Sequence, residues 1–114
     1  MPDCLFCRII AGQIPASVVY QDNEMVAIND ISPQAPMHVL IIPRRHIATV
    51  NDLGPDDDAL MGAMLRRAAA LAGERGYGAS GYRALFNCNR EGGQTVFHIH
   101  LHVLGGRSLG WPPG

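Results

Sequence analysis

Phe97 to Val103 reads FHIHLHV, an unbroken alternation in which every second residue is histidine and every residue between is apolar. A two-residue period fits a β-strand, because a strand turns successive side chains to opposite faces. His98, His100 and His102 then share one face, while Phe97, Ile99, Leu101 and Val103 occupy the other and anchor the strand in a core. One histidine on such a face is ordinarily a polar residue meeting water. Three in register, out of five histidines in the chain, point to chemistry.

The remaining sequence supplies the partners that such a strand needs. Val18-Val19-Tyr20 and Met25-Val26-Ala27-Ile28 flank the turn pair Asp22-Asn23 and predict a hairpin, with Asp30 just past its second strand. Val39 to Ile42 is a continuous apolar run closed by Pro43, as expected of a strand buried on both faces, with His38 and His46 at its ends. Tyr82 to Asn87 predicts a fourth strand, Gly92-Gly93 a turn, and Thr95 to Leu104 a fifth, in an antiparallel ladder. A long helix is expected from Pro55 to about Arg75, stopped by Gly76, with Asp56, Asp57 and Asp58 at the positive end of its dipole. Leu60, Met61, Met64, Leu65, Ala68, Leu71 and Ala72 form its apolar stripe, which packs on the core and in part can face a partner subunit. A short helix from Cys4 to Ala11, capped by Asp3 and ended at Gly12, carries two cysteines. The fold class is α+β, a five-stranded antiparallel sheet with one long and one short helix.

With 114 residues, 47% of them hydrophobic, the chain builds one domain spanning 1–114. Nine basic against ten acidic residues leave a net charge of −1, so no basic footprint for nucleic acid or an anionic membrane exists. No segment approaches the roughly 20 apolar residues that span a bilayer, and the amino terminus has no leader pattern, so a cytoplasmic protein is expected. Three cysteines argue against a disulfide framework, whereas Cys4-x-x-Cys7 suits a metal or redox site in a reducing compartment. Cys88 reads as a small core residue.

Two kinds of chemistry suit the histidine row. Imidazole is a common metal ligand, but the outer two Cα atoms of the row lie roughly 13 Å apart at about 3.3 Å per residue, too far for all three to share one ion. Nucleophilic catalysis fits better: the central His100 attacks phosphorus, and His102, with Gln94, Thr95 and the glycine turn, supplies donors to the phosphoryl oxygens. A carbonyl or dipole must then hold the other nitrogen of His100.

HIHLHVL resembles the His-x-His-x-His-x-x signature of the histidine triad (HIT) superfamily, with apolar residues at each x. The flanking DISPQAPMHVLIIPRRHI, GGQTVFHIHLHVLGGR and terminal WPPG are similar to its Hint branch, the histidine-triad nucleotide-binding proteins. The resemblance covers essentially the whole chain. It implies a homodimer whose two sheets join into ten strands, and a nucleoside 5′-monophosphoramidase or nucleotidyl hydrolase acting at the α-phosphate of AMP- or GMP-type substrates without a cofactor. His100 is the implied nucleophile, with His102, Asn87 and Thr95 at the phosphate, the His98 carbonyl behind His100, and His38 as a fourth histidine. Asp30 would take the ribose hydroxyls, Ile31 would border the base, and Trp111 in the tail would reach toward the partner's site. Thr95 stands where many Hint relatives carry serine. Some bacterial relatives with the same early cysteine pair hold zinc, which implies Cys4, Cys7, His46 and His98 as ligands of a closed structural site. A nucleotide-binding regulatory dimer and a dinucleoside polyphosphate hydrolase are the competing readings.

Overall fold

The computed structural model describes residues 3–114; Met1 and Pro2, where the sequence reading of the amino terminus begins, lie outside the described residues. Helix α1 (Leu5–Ile10) leads into strands β1 (Val18–Gln21), β2 (Met25–Asn29) and β3 (Met37–Pro43). Two 3₁₀ turns at Val50–Asp52 and Pro55–Asp57 precede helix α2 (Asp58–Glu74), followed by β4 (Tyr82–Leu85), α3 (Asn89–Gly92) and β5 (Leu101–Gly105). The strands form one fully antiparallel sheet in the order β1-β2-β3-β5-β4.

The expected α+β architecture is present, and β3 shows why its sequence is continuously apolar. It is the central strand, and all seven of its residues are buried. Met37, Val39 and Ile41 join Met25, Ala27, Leu101 and Val103 in the layer beneath Met64, Ala68, Leu71 and Ala72 of α2. On the opposite face, Leu40 and Ile42 pack with Val26, Ile28 and Phe6 of α1. His38 alternates with Leu40 and Ile42 and therefore belongs to this second face, away from the long helix.

Several boundaries differ from the sequence reading. Cys4, not Asp3, caps α1, its Sγ accepting the Cys7 N–H at 3.3 Å. Gly12 does take the expected left-handed conformation, at φ +77. Pro55 opens a 3₁₀ turn before α2, and Asp57 there pairs with Arg45 and accepts the Gly54 N–H at 2.9 Å. Leu65 in the apolar stripe is 49% exposed. Strand β4 stops at Leu85, and the turn before the histidines contains the one-turn helix α3 with half-buried Cys88 at its cap, so Cys88 is not a core residue.

The largest correction concerns the fifth strand. It begins at Leu101, so His98 and His100 precede the ladder and only His102 lies within it, opposite Leu40. Phe97, expected in the core, is 49% exposed, whereas Ile99, Leu101 and Val103 are buried. At the far end of β5, a Cβ on Gly106 would stand 2.8 Å from Pro36 Cβ, and its φ of +96 favours glycine independently.

Met64 is fully buried while its neighbour Leu65 is half exposed, so the two should respond differently to truncation. Met64→Ala is expected to cost about 2–5 kcal/mol in urea unfolding and Leu65→Ala less than about 1 kcal/mol. Equal losses would contradict this placement of α2.

Candidate active site

Five histidines and two cysteines gather on the sheet face opposite α2. His102 on β5 and His38 on β3 face the same way, with His38 Nε2 2.9 Å from His102 Nδ1. The rings of His100 and His102 stand 4.9 Å apart, and Phe6 of α1 lies edge-on to His100 at 4.9 Å and to His98 at 6.0 Å. Because Thr95–His100 lies outside the ladder, other contacts fix it. The Ile99 N–H donates to Ile47 O at 2.7 Å, and His98 Nε2 donates to Pro43 O at 2.7 Å.

These partners assign the imidazole protons. A carbonyl can only accept, so His100 Nδ1, 2.9 Å from the His98 carbonyl oxygen, carries hydrogen and Nε2 keeps its lone pair. His38 shows the reverse pattern: the Gln34 N–H donates to its Nδ1 at 3.0 Å, so its Nε2 carries hydrogen and donates to His102 Nδ1. His102 then carries hydrogen on Nε2. Two adjacent rings thus offer one free lone pair, on His100, and one N–H donor, on His102. Asp30 Oδ2 lies 3.5 Å from His38 Nε2, and its Oδ1 accepts the Ser32 N–H at 2.8 Å.

Around this centre the other expected residues are unevenly placed. Leu85 pairs with His102 in the antiparallel ladder, so Asn87, two residues further along, is half-buried toward the His100 end. Thr95 is exposed in a groove with Cys4, Leu5, His46 and Phe97. Ile31 is 100% exposed beside Asp30, and Trp111 is 84% exposed on a tail held by an Arg83 Nη2 bond to Gly110 O at 2.8 Å. Gln94 departs from expectation: its Nε2 hydrogens go to Ala48 O at 2.8 Å and Val96 O at 3.0 Å, so its amide offers no donor to a phosphate. Phe6, Gln34 and Pro43 were not expected at the site. Phe6 could have been noticed between the two cysteines, but Gln34 and Pro43 act through backbone atoms, to which residue type gives no clue.

Among the described residues, two groups of side chains could be read as metal sites. Cys4, Cys7, His46 and His98 bring one ligand atom each within 4.8 Å of the others. Their separations are 3.4 Å for Cys4 Sγ to His98 Nδ1, 3.3 Å for Cys7 Sγ to His46 Nδ1 and 3.2 Å between the two Nδ1 atoms. A tetrahedral ion with bonds of about 2.3 Å to sulfur and 2.0–2.1 Å to nitrogen sets edges of roughly 3.3–3.8 Å, so the four groups fit such an ion. His98 is prepared for it, since donating Nε2–H to Pro43 leaves the Nδ1 lone pair free. Asp30, His38 and His102 also cluster. There the Gln34 N–H occupies the His38 Nδ1 lone pair and keeps hydrogen on the Nε2 that would have to bind, which opposes metal.

Burial pushes the pKa of His38, His98 and His100 down, and His102 is pushed down to about 4 by burial together with the neighbouring His100 and His38. His100 is therefore neutral near pH 7, with the lone pair on Nε2 unprotonated. An unfolded imidazole takes its proton near 6.5 and buried His102 near 4, so between these values the unfolded chain holds more protons. Stability falls as pH is lowered through that window and is insensitive to these groups above it. The urea midpoint should hold from about pH 8 to about pH 7 and decline below 6.5, less steeply in His102→Asn than in the parent protein. Parallel declines in the two proteins would contradict the assignment.

Comparison with known proteins accords with this geometry. The HIT domain family model matches residues 11–109. The purine nucleoside phosphoramidase of Escherichia coli K12 is 49% identical over 108 residues, covering 95% of this chain and 91% of that protein. The crystal structure of a HIT family hydrolase from Legionella pneumophila superposes with a TM-score of 0.96 at 55% identity, covering 98% of this chain and all of the other. A zinc-bound histidine triad family protein from Mycobacterium smegmatis superposes with a TM-score of 0.79 at 38% identity, covering 93% and 76% of the two chains. By signature, fold and relatives alike, this chain belongs to the HIT family.

Proposed function

We propose that the chain is a purine nucleoside 5′-monophosphoramidase, a hydrolase that cleaves P–N and related bonds at the α-phosphate of AMP- or GMP-type nucleotides. The observation that carries this reading is the opposite protonation of two adjacent rings, a lone pair on His100 Nε2 beside an N–H on His102 Nε2. Its agreement with the E. coli purine nucleoside phosphoramidase, 49% identical, supports the substrate class.

In the first step His100 Nε2 attacks the α-phosphorus, an N–P bond forms and the P–N bond breaks as its nitrogen takes a proton from solvent and departs as the amine. The ring becomes cationic as it is phosphorylated, and the His98 carbonyl, already accepting its Nδ1–H, stabilises that charge. His102 donates Nε2–H to a phosphoryl oxygen, with Thr95 and Asn87 alongside. Water then attacks phosphorus and releases a proton to solvent, the His100–phosphorus bond breaks to return the neutral ring, and the nucleoside 5′-monophosphate leaves. Asp30 receives the ribose hydroxyls, and Ile31 borders the base. No step calls for a cofactor.

The chain acts as one HIT domain and as a homodimer. Support for the dimer comes from the exposed Leu65, the exposed Trp111 on the carboxy-terminal tail and the open edge of β4. Zinc bound by Cys4, Cys7, His46 and His98 would supply structural closure, tying α1 to the segment that carries His100. Burial and the neighbouring Cys4 push the Cys7 thiol up, so binding would release protons.

His100→Asn should lower turnover of adenosine 5′-monophosphoramidate at least ~1,000-fold while AMP binding persists. Mass spectrometry of the quenched parent enzyme should find the nucleotidyl adduct on His100. A variant that keeps most of its rate would remove the mechanism. Protein purified without chelator should contain about one equivalent of zinc per chain, and less than about a tenth would refute the metal assignment.

A further inference from the structure

Thr95 to His100 approach the active centre without ladder hydrogen bonds, so their position depends on individual tethers. Gln94 makes the most of these. It is 6% exposed, and its Oε1 accepts the Asn89 N–H at 2.9 Å while Nε2 donates to Ala48 O at 2.8 Å and Val96 O at 3.0 Å. Its backbone N–H donates to Asn89 O at 3.0 Å, which closes the α3 turn in a reciprocal pair. Asn89 sits there at φ +60, a conformation that few non-glycine residues adopt without support.

One buried carboxamide therefore joins three segments. The turn after β4 carries Asn87, the run after β3 carries His46, and the approach to β5 carries Thr95, His98 and His100. Each polar atom of the amide is satisfied, and none points a free hydrogen at the site.

We propose that Gln94 is a positioning residue, a clip that sets Thr95 and Asn87 against His100 without itself touching the substrate. The proposal rests on the phosphoramidase reading for its kinetic consequence and on the hydrogen bonds alone for the clip. Gln94→Glu keeps the shape and the acceptor for Asn89 but sets carboxylate oxygens against two carbonyls. Gln94→Met keeps the length and removes the three side-chain hydrogen bonds, leaving the backbone bond to Asn89 O. Displacing reacting groups while leaving base and ribose contacts intact lowers kcat more than it raises KM.

The test combines steady-state turnover of adenosine 5′-monophosphoramidate with amide hydrogen exchange in both variants. Expected are a kcat lowered ~10–100-fold with KM changed less than ~3-fold, faster exchange at Ile99 in both variants and at Asn89 in Gln94→Met, and unchanged exchange across Val39–Ile41. A kcat within ~2-fold of the parent, with exchange accelerated, would overturn the positioning role. So would an AMP affinity weakened ~10-fold with exchange unaltered, since that would mark a direct contact. If the parent protein turned over no phosphoramidate, the functional reading would fall, and unaltered exchange in both variants would then overturn the clip separately.

Discussion

The carbonyl of His98 accepts the Nδ1–H of His100 at 2.9 Å, while the ring of the same residue reaches into the Cys4, Cys7 and His46 group. A peptide carbonyl cannot move independently of its own side chain by more than the intervening bonds allow. The thiol–imidazole group and the His100 ring are therefore fixed as one unit, because the His98 carbonyl and the His98 ring meet different partners. Phe6 reinforces the unit, since it sits between the two cysteines in sequence and packs against both rings in space.

Desolvation sets the chemistry of the centre. Histidines packed at van der Waals distance beneath a short helix and against a central strand cannot all be charged, and burial lowers each of the triad. Neutral imidazole is ambiguous, because either nitrogen may hold the hydrogen. Backbone groups resolve the ambiguity: a carbonyl at His100 and an N–H at His38 give adjacent rings opposite polarity. A free lone pair and an N–H donor follow from the same residue type because the main chain treats the two rings differently.

How far the site could be read from the residues depended on whether side chain or backbone carried the information. Alternation gave the shared histidine face, and the family resemblance pointed to Cys4, Cys7, His46 and His98 as one group, which the structure brings within 4.8 Å. The reading of Thr95–Leu104 as one strand failed at its first half, because alternation records which way side chains point and not whether the backbone has a ladder partner. Strand β4 ends at Leu85 and β5 begins only at Leu101, leaving His98 and His100 to be held by tethers. Gln94 reads as a phosphate donor in the sequence because its amide chemistry is visible there and its burial is not.

By itself, the sequence determined the strand and helix periods, the buried character of Val39–Ile42, the pairing of three histidines on one face and the family signature. These depend on local order along the chain. Only the tertiary structure decided the tautomers, the separate partners of the His98 carbonyl and ring, and the commitment of Gln94. Each of those depends on a contact between residues distant in sequence, such as His98 with Pro43 or Gln94 with Ala48, and a hydrogen bond has no direction until both partners are fixed in space.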